Sequence, residues 1–504
     1  MQARRILKAI LIALLAAALP LTMSGASHAQ SMYSRGKGIG VKPPTTTPGR
    51  PGTPGGGRGP NWGGVGAGIA AGVIGGIIMQ GIANANTAPP EYYDDPPQRA
   101  QPRRAPNRAP NANRVSGVPA AGENRYVPDE IVATVPTTVA PRALAAIEQR
   151  HRLSRVETHR SALAGATLLR WRIADGRGVP AAVRALEREG AISGAQPNYV
   201  YTLQQDDRGA QKAASVPVPQ YALDKLHLPQ AHERARGEGV RVAVIDSGID
   251  LSHPALQGVV VAQFNAAASP ADVHNHGTGI AGLIAARGGF TGSAPAAQIL
   301  AVRAFDPDST SASPSAQATT FAILKGLDWS VEQRARVINM SFAGPADPAM
   351  TRALLAASRK GAILVAAAGN AGAQSPPLYP AADPNVIAVT ATGAEDAVFP
   401  RANQGRYVTV AAPGIDVVAP AIAGGYQVSS GTSLSAAEVS GVIALLLERR
   451  PGLKTDAVRA ILTATARDLG NPGRDDVFGA GLVDAYQAVM SLEPKSAQAE
   501  NPVR

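Results

Sequence analysis

From about Tyr221 to Ser491 the chain alternates uninterrupted apolar runs ("VRVAVID", "QILAVRAF", "RVINMSF", "AILVAAAGN", "VIAVTAT", "YVTVAAPG") with stretches of helical periodicity. A strand that is apolar at every position, not at every second one, has both faces buried, and the interposed helices are what cover them. The pattern predicts an α/β fold in three layers, a parallel sheet between two layers of helix. In such sheets functional groups gather where strands end and helices begin. Four residues hold such places: Asp246 closes "VRVAVID", His276 opens "HGTGIAGLIAA", Asn370 follows "AILVAAAG", and Ser433 opens the helix that begins "SSGTSLSAAEVSG".

Taken alone, the serine-rich stretch has a structural explanation, since Ser and Thr favour helix starts. The set of four has a chemical one. A serine hydroxyl attacks only when an imidazole takes its proton; a carboxylate must orient that imidazole, and a donor must meet the oxyanion. Ser433, His276, Asp246 and Asn370 fill those roles once each, and Ser433 at a helix start has free N–H groups and the positive dipole end beside it.

The motifs carry a family resemblance. "VAVIDSGID" resembles the aspartate motif of subtilisin-type serine peptidases, "HGTGIAG" the histidine motif, "AAAGN" the oxyanion asparagine and "GTSLSA" the serine motif. "VINMSFAGP" resembles the edge strand on which that family lays its substrate. The resemblance implies a subtilisin-like catalytic domain that hydrolyses peptide bonds through an acyl-enzyme, with Asp246, His276 and Ser433 as triad. Asn370 is then the oxyanion donor, and Ser341, Phe342, Ala343, Gly344 and Ala367 contact substrate. Small residues at Ala343 and Ala366–Ala368 imply a roomy apolar pocket for the residue before the scissile bond. Two positions depart from the usual pattern: Gly279 replaces a second histidine after "HGT", and Ala437-Glu438 replaces Pro-His in the serine helix. No cofactor is implied. Structural calcium is common among such relatives, but no carboxylate-rich loop identifies a site.

Residues 126–204 show a different order. "EIVATV", a strand near Ser154–His159, "ATLLRWRI" and "AISGAQPNYVYTL" read as strands, and "RALAAIEQRHRL" and "VPAAVRALEREG" as amphipathic helices. This is βαββαβ, the order of a small α+β ferredoxin-like sandwich. It resembles the propeptide of the same family, an intramolecular inhibitor whose last strand ends in the active-site cleft; self-cleavage is expected between about Val200 and Val218. Residues 205–220 read as a linker, 221–491 as the catalytic domain and 492–504 as a tail.

The N-terminus has Arg4, Arg5 and Lys8, then an uncharged apolar stretch, then Ser27-His28-Ala29. That is the pattern of a secretory signal peptide over 1–29, so an exported protein is expected, whether secreted, periplasmic or bound to the cell envelope. Residues 30–125 are rich in Pro, Gly and Arg, a composition that cannot bury enough apolar surface to offset chain entropy. Within them, 63–82 place Gly64, Gly68, Gly72 and Gly76 four apart, a glycine zipper for membrane insertion or self-association if helical. The alternative reading of the chain is an inactive membrane- or surface-associated scaffold that uses this segment; it leaves the four filled catalytic roles unexplained.

The net charge of +11 does not mark a nucleic-acid partner. The first 125 residues carry +10 of it, so the folded part has no basic footprint. "DVHNH" with His253 offers zinc-type ligands, but without helical ligand spacing, and no metal site is expected. His253 reads as a structural turn residue. The chain has no cysteine, which excludes disulfides and thiol chemistry.

Overall fold

The computed structural model describes residues 115–204, 206–213, 219–267, 269–270, 274–307 and 316–493, and for 206–213 the backbone alone. The expected leader, the 63–82 segment, most of the region before Tyr126 and the tail from 494 lie outside the described residues.

The N-terminal sandwich comprises β1 (Tyr126–Pro136), α1 (Pro141–Arg150), β2 (Leu153–Ser161), β3 (Ala166–Ile173), α2 (Val179–Leu186) and β4 (Gly194–Leu203). Its antiparallel strand order is β2-β3-β1-β4, with Ile131 opposite Trp171 and Pro197. Strand alternation sends Ile131, Ala133, Val135, Leu169 and Trp171 to one face, where Val183 and Leu186 of α2 cover them. The opposite face sends Val132, Leu168, Tyr199 and Tyr201 into the large domain. Order begins before the expected boundary: the Ser116 hydroxyl and Gly117 N–H both donate to Glu187, each at 2.7 Å.

Next come β5 (Asp206–Ala213), α3 (Tyr221–Lys225), α4 (Leu228–His232), β6 (Arg241–Asp246), β7 (Val260–Asn265), α5 (Asn275–Ala285), β8 (Gln298–Arg303), β9 (Asp306–Pro307), β10 (Ala316–Thr319), α6 (Thr320–Glu332), β11 (Val337–Met340) and β12 (Phe342–Ala343). The remainder is α7 (Pro348–Arg359), β13 (Ile363–Ala367), β14 (Val386–Thr392), β15 (Val408–Pro413), β16 (Val417–Ala421), β17 (Gly425–Ser430), α8 (Thr432–Arg449), α9 (Thr455–Thr465) and α10 (Ala485–Met490).

The main sheet has seven parallel strands in the order β15-β14-β13-β11-β6-β8-β7. As the apolar runs predict, β11, β13, β14 and β15 are buried at every position. α5, α8 and α10 cover one face and α6 with α7 the other. α8 is buried over its whole length up to Leu447, which explains why its apolar residues are not confined to one stripe. The chain starts at β6, builds β7 and β8 to one side, then crosses to β11, so the order in which strands are added reverses between β6 and β11. That switch point opens a crevice at the carboxyl ends of those strands.

β4 continues past its own sandwich and pairs antiparallel with β12 and with β10, a strand the sequence pattern did not announce, so one sheet runs from the small domain across the crevice. The expected linker also contains β5, which pairs with β17 on the hairpin that leads into α8.

Candidate active site

Asp246 ends β6 fully buried, its carboxylate accepting from Ser247 N–H at 2.7 Å and from the Ser247 hydroxyl at 3.0 Å. These bonds hold the carboxylate toward α5. There, Nδ1 of His276 lies 2.8 and 2.9 Å from its two oxygens. The two carboxylate oxygens can only accept from Nδ1, an arrangement that turns Nε2 away from the carboxylate. The close approach depends on Gly277: a Cβ there would lie 2.1 Å from the Gly248 carbonyl oxygen. The start of α5 is capped by His274, whose Nδ1 accepts from the His276 N–H at 3.2 Å.

Ser433 sits in the first turn of α8, reached through Gly431 at φ 154°, a conformation open to glycine. Its Oγ and Nε2 of His276 are both buried and both without a hydrogen-bond partner. The carboxylate–imidazole link is formed, and no hydrogen bond joins the imidazole to the hydroxyl.

The cleft is filled by the chain's own β4. Leu203 pairs with Phe342 and Thr202 with Ala343 on one side, while Thr202 and Tyr201 pair with Gln317 and Ala318 of β10 on the other. Gln204 follows, its N–H donating to the Ser341 carbonyl at 3.1 Å and its carbonyl accepting from the Ser433 N–H at 3.3 Å. Asn370 completes this end. Its Oδ1 accepts from the Thr432 N–H at 3.1 Å and the Thr432 hydroxyl at 2.8 Å, which leaves Nδ2 buried without a partner. A peptide carbonyl thus meets one backbone donor, and a side-chain amide nearby has its N–H groups unspent.

Of the residues expected to contact substrate, Phe342 and Ala343 pair with β4, and the Ser341 carbonyl accepts from Gln204, the residue after it. Gly344 does not: its N–H and carbonyl are taken by Tyr379 at 2.8 and 3.1 Å. Its part is spatial, because a Cβ would fall 2.4 Å from the Tyr201 ring. Ala367 ends β13 fully buried, in register with Val389 of the main sheet. The residue that follows β4 is a glutamine: Gln204 Oε1 accepts from the Asn370 N–H at 2.8 Å and Nε2 folds back on the Thr202 carbonyl at 3.2 Å. Missed from sequence were β10, whose "AQAT" has no apolar run, and Thr432, whose role depends on a contact sixty-two residues away.

His253 is structural, accepting from the Ala255 N–H at 3.1 Å and bonding the Gly425 carbonyl at 2.9 Å through its other nitrogen. Asp272 lies outside the described residues. Among the described residues no group of His, Asp or Glu is placed to hold a metal ion, and no helix is long and apolar enough to cross a membrane.

Residues 237–481 match the subtilase family, peptidase S8. Thermitase of Thermoactinomyces vulgaris is 35% identical over 279 residues, 54% of this chain and 96% of that relative. The chain belongs to the subtilase family. Subtilisin E of Bacillus subtilis (strain 168) is 33% identical over 304 residues, 58% of this subtilase and 76% of subtilisin E. A similar solved structure is that of fervidolysin from Fervidobacterium pennivorans, a keratinolytic enzyme related to subtilisin, at TM-score 0.61 and 26% identity. That match covers 74% of this chain and 62%, under two thirds, of the fervidolysin chain. Like these relatives the subtilase is a serine endopeptidase acting on protein substrates.

The two departures from the family pattern have local explanations. Gly279 faces β16, where a Cβ would meet Ala419 and the Pro420 carbonyl at 3.3 Å, so the α5 surface there is kept bare for packing. Glu438 is buried in α8 and is bonded by the Ser293 hydroxyl.

Proposed function

We propose that this subtilase is made as a zymogen that cuts itself after Gln204, and that residues 126–204 then act as its inhibitor. The observation that carries this is the Gln204 carbonyl on the Ser433 N–H, at the end of a strand clamped between β10 and β12. An added strand on a sheet edge is how proteins hold extended peptides, and here the chain supplies its own.

The chemistry follows from the site. Ser433 Oγ attacks the Gln204 carbonyl carbon as His276 Nε2 takes the hydroxyl proton, and Asp246 stabilises the imidazolium so formed. The tetrahedral oxygen moves onto the Ser433 N–H and Asn370 Nδ2, donors already in place. His276 returns the proton to the departing nitrogen of the next residue, leaving Gln204 as an acyl ester on Ser433. Water, deprotonated by the same imidazole, releases the acid. Protein substrates would occupy the cleft once β4 leaves it.

The apolar leader after Arg4, Arg5 and Lys8 supports export, which makes an envelope or extracellular site of action the proposed location. The test is to purify the full precursor and its Ser433→Ala form and to determine the new N-terminus by mass spectrometry. Cleavage after Gln204 in the first and an intact chain in the second are expected. The same cut in isolated Ser433→Ala protein would contradict self-processing.

A further inference from the structure

Tyr201 lies four residues from the end of the clamped strand, counting Gln204 as the first, and is among the largest fully buried side chains described. Its ring packs edge-on against Phe342, centroids 5.8 Å apart, in the space that Gly344 leaves open. At the far end of the ring the hydroxyl donates to Asp347 Oδ2 at 3.2 Å, with the Pro345 carbonyl at 3.5 Å. Asp347 belongs to the catalytic domain, is 2% exposed, and is fixed by that domain's own groups. The Thr320 hydroxyl donates to Oδ2 at 2.6 Å, and the Ala349 and Met350 N–H groups at the start of α7 donate to Oδ1 at 2.9 and 3.0 Å. Gln196 of the small sandwich adds a fourth donor at 2.5 Å.

An apolar pocket would accept any large side chain. This one ends in a carboxylate that three donors of the large domain hold and that accepts the hydroxyl. We infer that Asp347 is a specificity-determining residue that reads a phenolic hydroxyl four residues before the scissile bond, so that the preferred substrates carry tyrosine there and phenylalanine is the weaker analogue. Burial and the neighbouring carboxylate push the Tyr201 phenol well above its ordinary value, so the group stays a donor through the working pH range. A site built to bond a hydroxyl discriminates against the analogue without it far more than an apolar pocket discriminates by size. The inference rests on the peptidase reading above and extends it to substrate choice.

The test uses processed enzyme and quenched fluorescent peptides that differ only at the fourth residue, Tyr or Phe. The wild type is expected to favour Tyr in kcat/KM by about tenfold, the worth of one hydrogen bond to a charged group. Asp347→Asn and Asp347→Ser keep a capping side chain for α7. In both, the Tyr to Phe ratio should fall toward one while the Phe peptide is still cleaved. Equal rates for the two peptides in the wild type, or an unchanged ratio in both variants, overturn the inference and leave the peptidase reading intact. Should none of the peptides be hydrolysed, the peptidase reading fails separately. The same pair is then compared by binding affinity, where a Tyr preference lost in Asp347→Asn supports the inference and equal affinity overturns it.

Discussion

Glu438 is the residue whose energetics the fold states most clearly. It is 2% exposed within the helix that carries Ser433, and the Ser293 hydroxyl is its hydrogen-bond donor. Burial pushes its carboxyl up from 4.5 to about 7, against the opposing pull of the Ser293 bond. The folded chain therefore holds this proton more tightly than the unfolded chain does. Between pH 4.5 and about 7 unfolding releases it, so stability falls as pH rises through that window and reaches its full loss above 7. A gap of that width corresponds to about 3 kcal/mol, an upper bound because the site relaxes around the charge. Glutamine has the same shape, keeps an acceptor for Ser293 and carries no charge. In Ser433→Ala precursor, which prevents autolysis, urea unfolding of the Glu438→Gln chain should match the parent near pH 4.5. It should exceed the parent by up to about 3 kcal/mol at pH 8, with an unchanged slope against denaturant. A difference that is constant with pH, or that grows toward acid, would refute the reasoning.

Two further substitutions test the site's construction. Asn370→Ala removes the unpartnered Nδ2 and should lower kcat by about 10² to 10³ with little change in KM, the range known for the oxyanion asparagine of subtilisin itself; steady-state kinetics on processed enzyme decide it. Gly277→Ala places a Cβ against the Gly248 carbonyl and should cost about 1–3 kcal/mol of overpacking, read as a lower urea midpoint together with slowed self-processing.

Much of this was legible in the sequence because the signals are local. Strands buried on both faces need apolar residues throughout, so "VINM" and "AILVAA" announced the parallel sheet, and the sandwich helices announced themselves by period. Asp246, His276, Asn370 and Ser433 could be singled out from sequence because the proposed chemistry requires particular residue types at element ends. What sequence could not show was pairing at a distance. The polar "AQAT" of β10 becomes a strand only because β4, more than a hundred residues earlier, lies against it. β5 likewise arises in a stretch that reads as a linker, from the open edge of β17. The sequence names Gly344 as a contact but not the kind: its backbone bonds Tyr379, and its missing side chain makes room for Tyr201. The Gln204 amide, a polar side chain at an apolar-looking position, follows from the Asn370 N–H beside it, which only the folded chain brings there.

The central claim is that Ser433 is the nucleophile and His276 its base. Processed enzyme treated with a fluorophosphonate probe and digested for mass spectrometry should carry one adduct, on Ser433, formed at least a hundredfold more slowly when His276 is alanine, about the least expected for loss of a general base. An adduct on another serine, or an unlabelled Ser433 in protein that still hydrolyses peptides, would contradict it.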